Sequence, residues 1–365
     1  MELTYQTKLE GDKIGIVFGT FAPLHQGHLD CIMRAKKECE GGCLVISCGY
    51  DNDRGEPLLP HTKRYRYVRE FFANDDLVAV YAINDTEIGA KEYPQGWNEW
   101  LKAFSLIWEK AVGNWKQRVW YVGEKSYYDD LINMGETAVL LDRAENPISG
   151  TKIRENPLKY WDKIALPFRR EFSTNILICG TASEGKSVLT ADLGKYFNAP
   201  YSYEYARQYM SEQNKSDWEL NSIDFCSFLT GQYALNNQMI NSAQNRGVFF
   251  ADSDALVTQM YAQHYANDEK CALTEKEYQI IASLAHEITK KTKWSKIFLL
   301  CPCGKFVDDH SRYMAHASMD ERTKLYNILV NLLKSNGLWD KVTILNYGYR
   351  ENFNKIREYV EENVK

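Results

Sequence analysis

Residues 14–28 read IGIVFGTFAPLHQGH and join a short apolar run to a turn with two glycines and two histidines. The run at residues 14–18 has the length and composition of a buried strand. Glycine lets backbone N–H groups approach a ligand closely. A helix is expected to begin near Gly27 and His28, with its N-terminal N–H groups and dipole facing the same pocket. The stretch therefore predicts a strand, a ligand-binding turn and a helix.

Further apolar runs follow along the chain, with amphipathic stretches such as 62–73 and 97–111 between them. The runs are 43–49, 77–83, 118–123, 137–142, 175–180, 247–252 and 296–301. Apolar strands that alternate with helices are typical of parallel sheets covered on both faces. For 365 residues, at about 100–200 residues per domain, we expect two doubly wound α/β domains, residues 1–170 and 171–365.

The overall composition is that of an ordinary globular protein, with 44% hydrophobic and 25% charged residues, which excludes a disordered or low-complexity chain. A net charge of -5 and a pI near 5.9 favour neither nucleic acid nor an anionic membrane as a partner. The N-terminus lacks a basic and apolar leader, and no apolar run approaches the ~20 residues of a membrane helix. Nine scattered cysteines then indicate reduced thiols. We expect a cytoplasmic protein without membrane insertion.

The two histidines of HQGH, His25 and His28, could donate hydrogen bonds to phosphate oxygens. Phosphoryl and nucleotidyl transfer depend mainly on positioning and charge stabilisation, so little covalent chemistry is needed. Two alternatives stay open at this point: a Gly/Pro turn with two surface histidines, and a metal site, although no other His, Cys or Asp cluster lies nearby in the sequence.

A second motif, GTASEGKS at residues 180–187, fits the P-loop pattern GxxxxGK[ST] completely. A buried-strand run precedes it and an amphipathic stretch follows it, with Val188, Leu189, Leu193 and Phe197 as its apolar positions. In such a loop Lys186 reaches the β and γ phosphate oxygens and Ser187 ligates Mg²⁺. Contacts with ATP are also predicted for Gly180, Ser183, Glu184, Gly185 and Val188.

Three features favour a kinase in this half. Glu204 lies where a second strand would end, so its carboxylate could take the proton of a substrate hydroxyl. Arg207 could bind substrate or phosphate, and the alternative for both residues is a surface ion pair. Asp252 follows an apolar run, as a Mg²⁺-holding carboxylate near a P-loop does.

Three further residues of the kinase half are assigned roles. Asp254 is predicted to bind substrate hydroxyls, with helix capping as the alternative. Arg312 is our first choice for an arginine that a lid brings to the γ-phosphate, whereas Arg322 begins a helical pattern and is assigned a structural role.

The segment around HQGH resembles the HxGH signature of the nucleotidylyltransferase superfamily, and its flanks resemble NMN adenylyltransferases. ISGTKIR at residues 148–154 is similar to the motif that closes the ATP site in the same family. The resemblance implies that His25 and His28 hold the ATP phosphates and stabilise the transition state. It implies that Ser149, Thr151 and Arg154 serve the triphosphate, with the backbone of Gly19, Thr20 and Phe21 under the substrate.

The resemblance also suggests two contacts with NMN. Trp97 is the candidate for stacking on the nicotinamide ring, although Trp97, Trp100, Leu101 and Phe104 would equally form one apolar helix face. Asp51 follows the strand at residues 43–48, where it would contact substrate or form only a polar turn.

Together the two halves resemble the NadR family, which joins an NMN adenylyltransferase to a ribosylnicotinamide kinase. The resemblance implies that ATP phosphorylates nicotinamide riboside to NMN, and that a second ATP converts NMN to NAD and pyrophosphate, with Mg²⁺ in both sites. Some members carry an N-terminal helix-turn-helix domain. Here the first strand begins near residue 14, so we expect no such domain and no nucleic acid partner; a homo-oligomer is compatible with the sequence.

Rival functions remain at this level. The P-loop half could be a catalytically silent nucleotide sensor attached to an NMN adenylyltransferase. The first half could act on pantetheine phosphate beside an unrelated kinase, or the whole chain could be a nucleotide-responsive binding module.

Overall fold

The computed structural model describes residues 9–51, 54, 59–112, 116–141, 148–266, 273–302 and 318–364. The chain divides into two compact units with the boundary between Phe172 and Ser173. Each unit is built on a parallel five-stranded sheet with helices between successive strands, which confirms the predicted fold class. Among the described helices, none combines the length and apolar character needed to cross a membrane.

The first unit has the strand order β3-β2-β1-β4-β5. Its strands are β1 (Lys13–Gly19), β2 (Cys43–Gly49), β3 (Val78–Asn84), β4 (Gln117–Val122) and β5 (Thr137–Leu140). Its helices are α1 (Gln26–Glu38), α2 (His61–Phe71), α3 (Trp97–Ala111), α4 (Lys125–Asn133), α5 (Gly150–Glu155) and α6 (Leu166–Arg169).

Successive side chains of the central strands point to opposite faces of this sheet, and they belong to two apolar clusters, one on each face. On one face Val17 and Val45 pack with Ile32 of α1 and Val68 of α2. The opposite face carries the aromatic side of α3; this second cluster includes Ile16, Leu44, Ile46, Trp100, Phe104, Trp108 and Trp120. The sheet is therefore covered on both faces, as its continuous apolar strands require.

The second unit has the strand order β10-β9-β6-β8-β7. Its strands are β6 (Thr174–Gly180), β7 (Tyr201–Ser202), β8 (Val248–Asp252), β9 (Lys296–Leu300) and β10 (Val342–Leu345). Its helices are α7 (Lys186–Phe197), α8 (Tyr205–Gln213), α9 (Ser222–Ile240), α10 (Ala255–Tyr265), α11 (Glu275–Lys291), α12 (Met319–Ser335) and α13 (Tyr349–Asn363).

The central strands of this sheet also alternate between two faces. Leu177 and Phe249 pack against α10 and α12, whereas Ile178 and Phe250 pack against α7 and α13. In α7, Leu189 and Leu193 are buried, whereas the side chain of Val188 is 57% exposed.

Two candidate nucleotide sites

In the first unit the HQGH turn follows the central strand β1. From β1 the chain adds β2 and β3 on one side of the sheet, and then adds β4 and β5 on the other side of β1. Such a switch point opens a crevice at the carboxyl ends of the strands, where α/β proteins bind ligands. Gly19 ends β1, and Thr20 and Phe21 begin the turn. Phe21 is fully buried, with φ of 46°, a left-handed conformation that is uncommon outside glycine.

The two histidines of the turn are held in a fixed relation. His25 immediately precedes α1, and its carbonyl accepts from the backbone N–H groups of His28 and Leu29. His28 Nδ1 accepts from the His25 backbone N–H at 3.3 Å. A neutral His28 then carries its proton on Nε2, which can donate to a phosphate oxygen. The predicted helix start near Gly27 agrees with the observed start at Gln26.

The ISGTKIR motif packs against the same turn, although the two motifs lie far apart in the chain. Ser149 caps α5 by accepting from the Lys152 N–H at 3.3 Å. A Cβ on Gly150 would lie 2.7 Å from the Ala22 carbonyl oxygen, so only glycine permits this approach. Arg154 donates to that same carbonyl at 2.5 Å and to the Thr151 hydroxyl at 3.3 Å. The structure thus places the motif that contains Ser149, Thr151 and Arg154 against the turn that contains His25 and His28.

The two candidate NMN contacts also lie at this edge of the sheet. Trp97 begins α3 and is partly exposed; its ring packs on Trp100 and Phe18 at centroid distances of 5.2 and 5.8 Å. Its indole Nε1 is shielded from solvent and has no hydrogen-bond partner among the described residues. Asp51 is exposed and accepts from Asn84, the last residue of β3, at 3.4 Å. Asn52 and Asp53, which follow it, lie outside the described residues.

In the second unit the P-loop connects β6 to α7, as its sequence predicts. Gly180 has φ of 146° and Gly185 has φ of 80°, and Ser183 between them also adopts a positive φ of 60°. Lys186 is buried and donates from Nζ to the Thr181 carbonyl at 2.7 Å inside the loop. Ser187 and Val188 are exposed on the first turn of α7, where both can meet a nucleotide.

Asp252 ends β8, the strand beside β6, and its register partner is Ile178. The residue is fully buried, and neither carboxylate oxygen has a hydrogen-bond partner among the described residues. Burial raises the pKa of Asp252, while the nearby Lys186 ammonium and the Ser187 hydroxyl act in the opposite direction. A buried carboxylate that is unsatisfied costs folding free energy unless a cation compensates it. The oxygens of Asp252 and Ser187 therefore fit a hard cation such as Mg²⁺.

Glu204 follows β7 and stands at the N-terminus of α8, as predicted. Its carboxylate lies 3.8 Å from the Arg207 guanidinium, so the ion pair that was the alternative interpretation is present. Both residues nevertheless line a cavity of about 550 Å³. The cavity also contains aromatic side chains that the sequence analysis did not single out: Trp218, Phe225, Phe228, Tyr261 and Tyr265.

These aromatic residues come from separate helices and connecting segments, so no motif joins them in the sequence. Trp218 is 55% exposed, but a single exposed aromatic residue is common on protein surfaces and does not by itself indicate a binding site. Ser253, also in the cavity wall, has φ of 86°. Strain of this kind is common at functional sites.

Asp254 behaves as the capping alternative describes. Its Oδ1 accepts from the backbone N–H groups of Leu256 and Val257 at 3.0 and 3.3 Å, and its Oδ2 accepts from the Trp294 indole at 3.0 Å. Burial raises its pKa to about 6. Since protein donors occupy both oxygens, a riboside could bind Asp254 only by displacing them, and the structure favours capping over substrate binding.

Arg322 lies on the first turn of α12, and its guanidinium forms an ion pair with Glu184 of the P-loop. The sequence had indicated only a structural role at the start of a helix, but Arg322 also contacts the P-loop. Arg312, the predicted lid arginine, lies outside the described residues.

These two sites define a class of protein: a nucleotidylyltransferase-like α/β domain followed by a P-loop α/β domain. Comparison with protein families agrees, since residues 16–156 match the cytidylyltransferase-like family and residues 175–351 match the AAA domain family. A crystal structure of NadR protein in complex with NR is 35% identical and superposes with a TM-score of 0.83, covering 97% of this chain and 98% of that one. A NadR structure with NAD and AMP-PNP has 35% identity over 97% and 98% of the chains, with a TM-score of 0.80.

Curated relatives point the same way. The trifunctional NAD biosynthesis/regulator protein NadR of Salmonella typhimurium is 29% identical, covering 96% of this chain and 83% of the relative. The NadR protein of Escherichia coli is 28% identical with the same coverage. The chain belongs to the NadR family and is an enzyme of NAD biosynthesis.

Proposed function

We propose that the chain is bifunctional: its P-loop unit phosphorylates nicotinamide riboside with ATP, and its first unit joins the resulting NMN to AMP from a second ATP. The observation that carries the proposal is the cavity of about 550 Å³ whose wall contains Glu204, in a chain so similar to NadR proteins solved with NR and with NAD and AMP-PNP. A sensor needs a nucleotide site but not a second, aromatic-lined cavity with a carboxylate in its wall.

In the kinase step, the riboside occupies the cavity with its 5′-hydroxyl at Glu204. The Glu204 carboxylate, which is 14% exposed, takes the hydroxyl proton as the oxygen attacks the γ-phosphorus of ATP. The bond to the bridging oxygen breaks and ADP leaves. Lys186 releases the Thr181 carbonyl and neutralises charge on the phosphates. A Mg²⁺ held by Asp252 and Ser187 would supply further charge neutralisation.

The aromatic wall provides the specificity of this step. Aromatic rings bind a flat heterocycle by stacking, and the π-face of a ring also attracts a cation such as the pyridinium of nicotinamide riboside. Trp218, Phe225 and Phe228 all line this cavity; Trp218 is exposed, whereas Phe225 and Phe228 are buried.

In the adenylyl transfer step, a phosphate oxygen of NMN attacks the α-phosphorus of ATP and pyrophosphate leaves. No covalent bond to the protein is required, so the enzyme contributes position and charge. His28 donates from Nε2 to the reacting phosphates, and His25 and Arg154 stabilise the charge that develops on the leaving pyrophosphate. Trp97 stacks on the nicotinamide, and Asp51 contacts the polar part of NMN.

The first test is product analysis by chromatography after incubation with Mg-ATP and either nicotinamide riboside or NMN. We expect riboside to give NMN, ADP and NAD, and NMN to give NAD and pyrophosphate. NAD from NMN with no product from riboside would overturn the kinase half. Pantetheine phosphate belongs in the same substrate panel, and its turnover in place of NMN would overturn the substrate assignment.

The variant Lys186→Ala separates a kinase from a sensor. A kinase loses riboside phosphorylation by about 10³-fold or more and keeps NMN adenylylation. A sensor variant would instead change the adenylylation rate or its response to ATP. The matched control is Lys195→Ala on the same helix, whose side chain is 70% exposed and which should retain both activities.

A further inference from the structure

The P-loop of this chain contains a carboxylate, Glu184, directly before Gly185 and Lys186. Its neighbours Ser183 and Gly185 both have positive φ. The Glu184 side chain is only 3% exposed and also lies 3.4 Å from the Thr181 hydroxyl. A negative charge in this loop works against the loop's purpose, which is to bind a polyanion.

The compensating charge comes from a distant part of the chain. The Arg322 guanidinium pairs with Glu184, and its side chain is 2% exposed. Ser318 caps α12 by accepting from the Glu321 N–H at 3.2 Å. Leu325, Leu329 and Leu333 then anchor the helix in the core beneath the sheet. A capped and anchored helix thus presents the arginine to the P-loop at a fixed position.

Buried ion pairs of this kind are asymmetric in their energetics. Removing one partner leaves an uncompensated buried charge and is strongly unfavourable, whereas replacing both partners by neutral groups is often tolerated. Here the uncompensated charge would be a carboxylate beside the bound triphosphate, and its repulsion would add to the cost of desolvation.

We propose that Arg322 is a positioning residue of the kinase site: it neutralises Glu184 and holds the P-loop in the geometry that accepts ATP. Arg322 is therefore needed only when Glu184 carries its negative charge. An arginine that contacted the phosphates itself would be needed whether or not Glu184 is present. The kinetic test of this proposal, which measures the KM for ATP, rests on the proposed kinase function. The binding test, which titrates AMP-PNP, does not.

The test compares four full-length proteins: wild type, Arg322→Gln, Glu184→Gln and the double variant. We expect Arg322→Gln to raise the KM for ATP in riboside phosphorylation by about tenfold or more, with the KM for riboside unchanged. Glu184→Gln should raise the KM for ATP less than Arg322→Gln does, because the unpaired charge that it leaves on Arg322 is opposite in sign to the bound triphosphate. The double variant, a neutral amide pair, should return it to within about threefold of wild type.

Two outcomes would overturn the proposal. An unchanged KM for ATP in Arg322→Gln would mean that the pair does not shape the site. A double variant as impaired as Arg322→Gln would mean that the arginine serves the phosphates directly. The matched control is Lys324→Gln on the same helix, since Lys324 is 67% exposed and pairs with Glu321 rather than with the loop.

Folding and the assumed activity are checked separately. An unchanged KM for riboside reports that the P-loop unit is folded, and Arg322→Lys, which keeps the charge, should retain more ATP affinity than Arg322→Gln. If the wild type phosphorylates no riboside, the proposed kinase function fails, and titration with AMP-PNP tests the pair instead. The variant Lys186→Ala then measures how much AMP-PNP binds at the site of the first unit. We expect the AMP-PNP affinities of the four proteins to rank in the same order as the KM values predicted for ATP.

Discussion

The imidazole rings of His25 and His28 are stacked, with 3.8 Å between their centroids and 27° between their planes. The edge of Phe21 packs on His28 at 5.0 Å, so three rings of the HQGH turn restrain one another. His25 is 5% exposed and forms a backbone bridge with Ile164. Two surface histidines on a mobile turn would not be held in this way, and the arrangement is suited to aligned donors for phosphate.

Replacement of His28 by alanine should reduce NMN adenylylation by about 10²- to 10³-fold, because it removes one donor to the developing charge. Riboside phosphorylation should not change, since the P-loop site is in the other unit. Pyrophosphate release from NMN and ATP measures the first activity. His286→Ala, at an exposed histidine on α11, is the control, and an equal loss in both activities would argue for misfolding instead.

The variant Asp252→Asn should lose riboside phosphorylation by about 10²-fold or more while becoming more stable without ligand. The loss follows from the missing Mg²⁺ ligand. The stability gain follows because the amide removes a buried carboxylate whose desolvation the Lys186 ammonium offsets only in part. A gain of about 1 kcal/mol corresponds to roughly 2–4 °C in Tm for a unit of this size. Calorimetry without ligand measures the Tm, and ADP release in the presence of Mg-ATP and riboside measures the loss of phosphorylation. A lower Tm in the variant without ligand would contradict the interpretation.

For Trp97→Ala we expect the KM for NMN to rise by about tenfold while the KM for ATP changes by less than about twofold, because stacking on nicotinamide is lost. Steady-state kinetics of NAD formation measures both constants. Trp108→Ala is the matched control: Trp108 is buried on the same helix, so its loss should lower Tm without a selective change in either KM. If Trp97 only fills the core, the two variants will behave alike.

For Trp218→Ala we expect the KM for nicotinamide riboside to rise by about tenfold with the KM for ATP unchanged. Trp218→Phe retains a ring and should recover most of the affinity. A coupled assay of ADP formation measures the rate of riboside phosphorylation. An unaltered KM in the alanine variant would remove Trp218 from the proposed riboside site.

Asp224 provides a prediction about pH. Burial raises the pKa of Asp224, but hydrogen bonds from Lys215, the Asn221 backbone and Tyr209 outweigh it, so that the pKa lies below its usual value. A lowered folded-state pKa stabilises the protein above the unfolded value, and this contribution is lost as pH falls through the folded value.

Urea unfolding of Asp224→Ala should therefore show a deficit of about 2–4 kcal/mol at pH 7 that shrinks below about pH 4. A deficit that does not change with pH would mean that the ionised state of Asp224 contributes nothing. Glu287→Ala, which breaks an exposed ion pair with Lys290, should match wild type throughout.

Strands with long apolar runs were predictable from the sequence, whereas two edge strands were not. The short β7 consists of Tyr201 and Ser202 and has no pattern to detect. In β10, Ile344 is 44% exposed and the run is only four residues long. Each exists because a neighbouring strand offers a free row of backbone groups, which is a property of the assembled sheet.

The sequence by itself determined the two α/β units and the motifs at their strand ends, because strand periodicity, HQGH, ISGTKIR and GTASEGKS depend on residues that are neighbours in the chain. Only the tertiary structure decided which distant residues meet. It joined Arg154 to Ala22, set Trp218 in the wall of a cavity with Glu204, and paired Glu184 with Arg322. Such pairs depend on the strand order and on helix packing, which bring together residues that no local pattern relates.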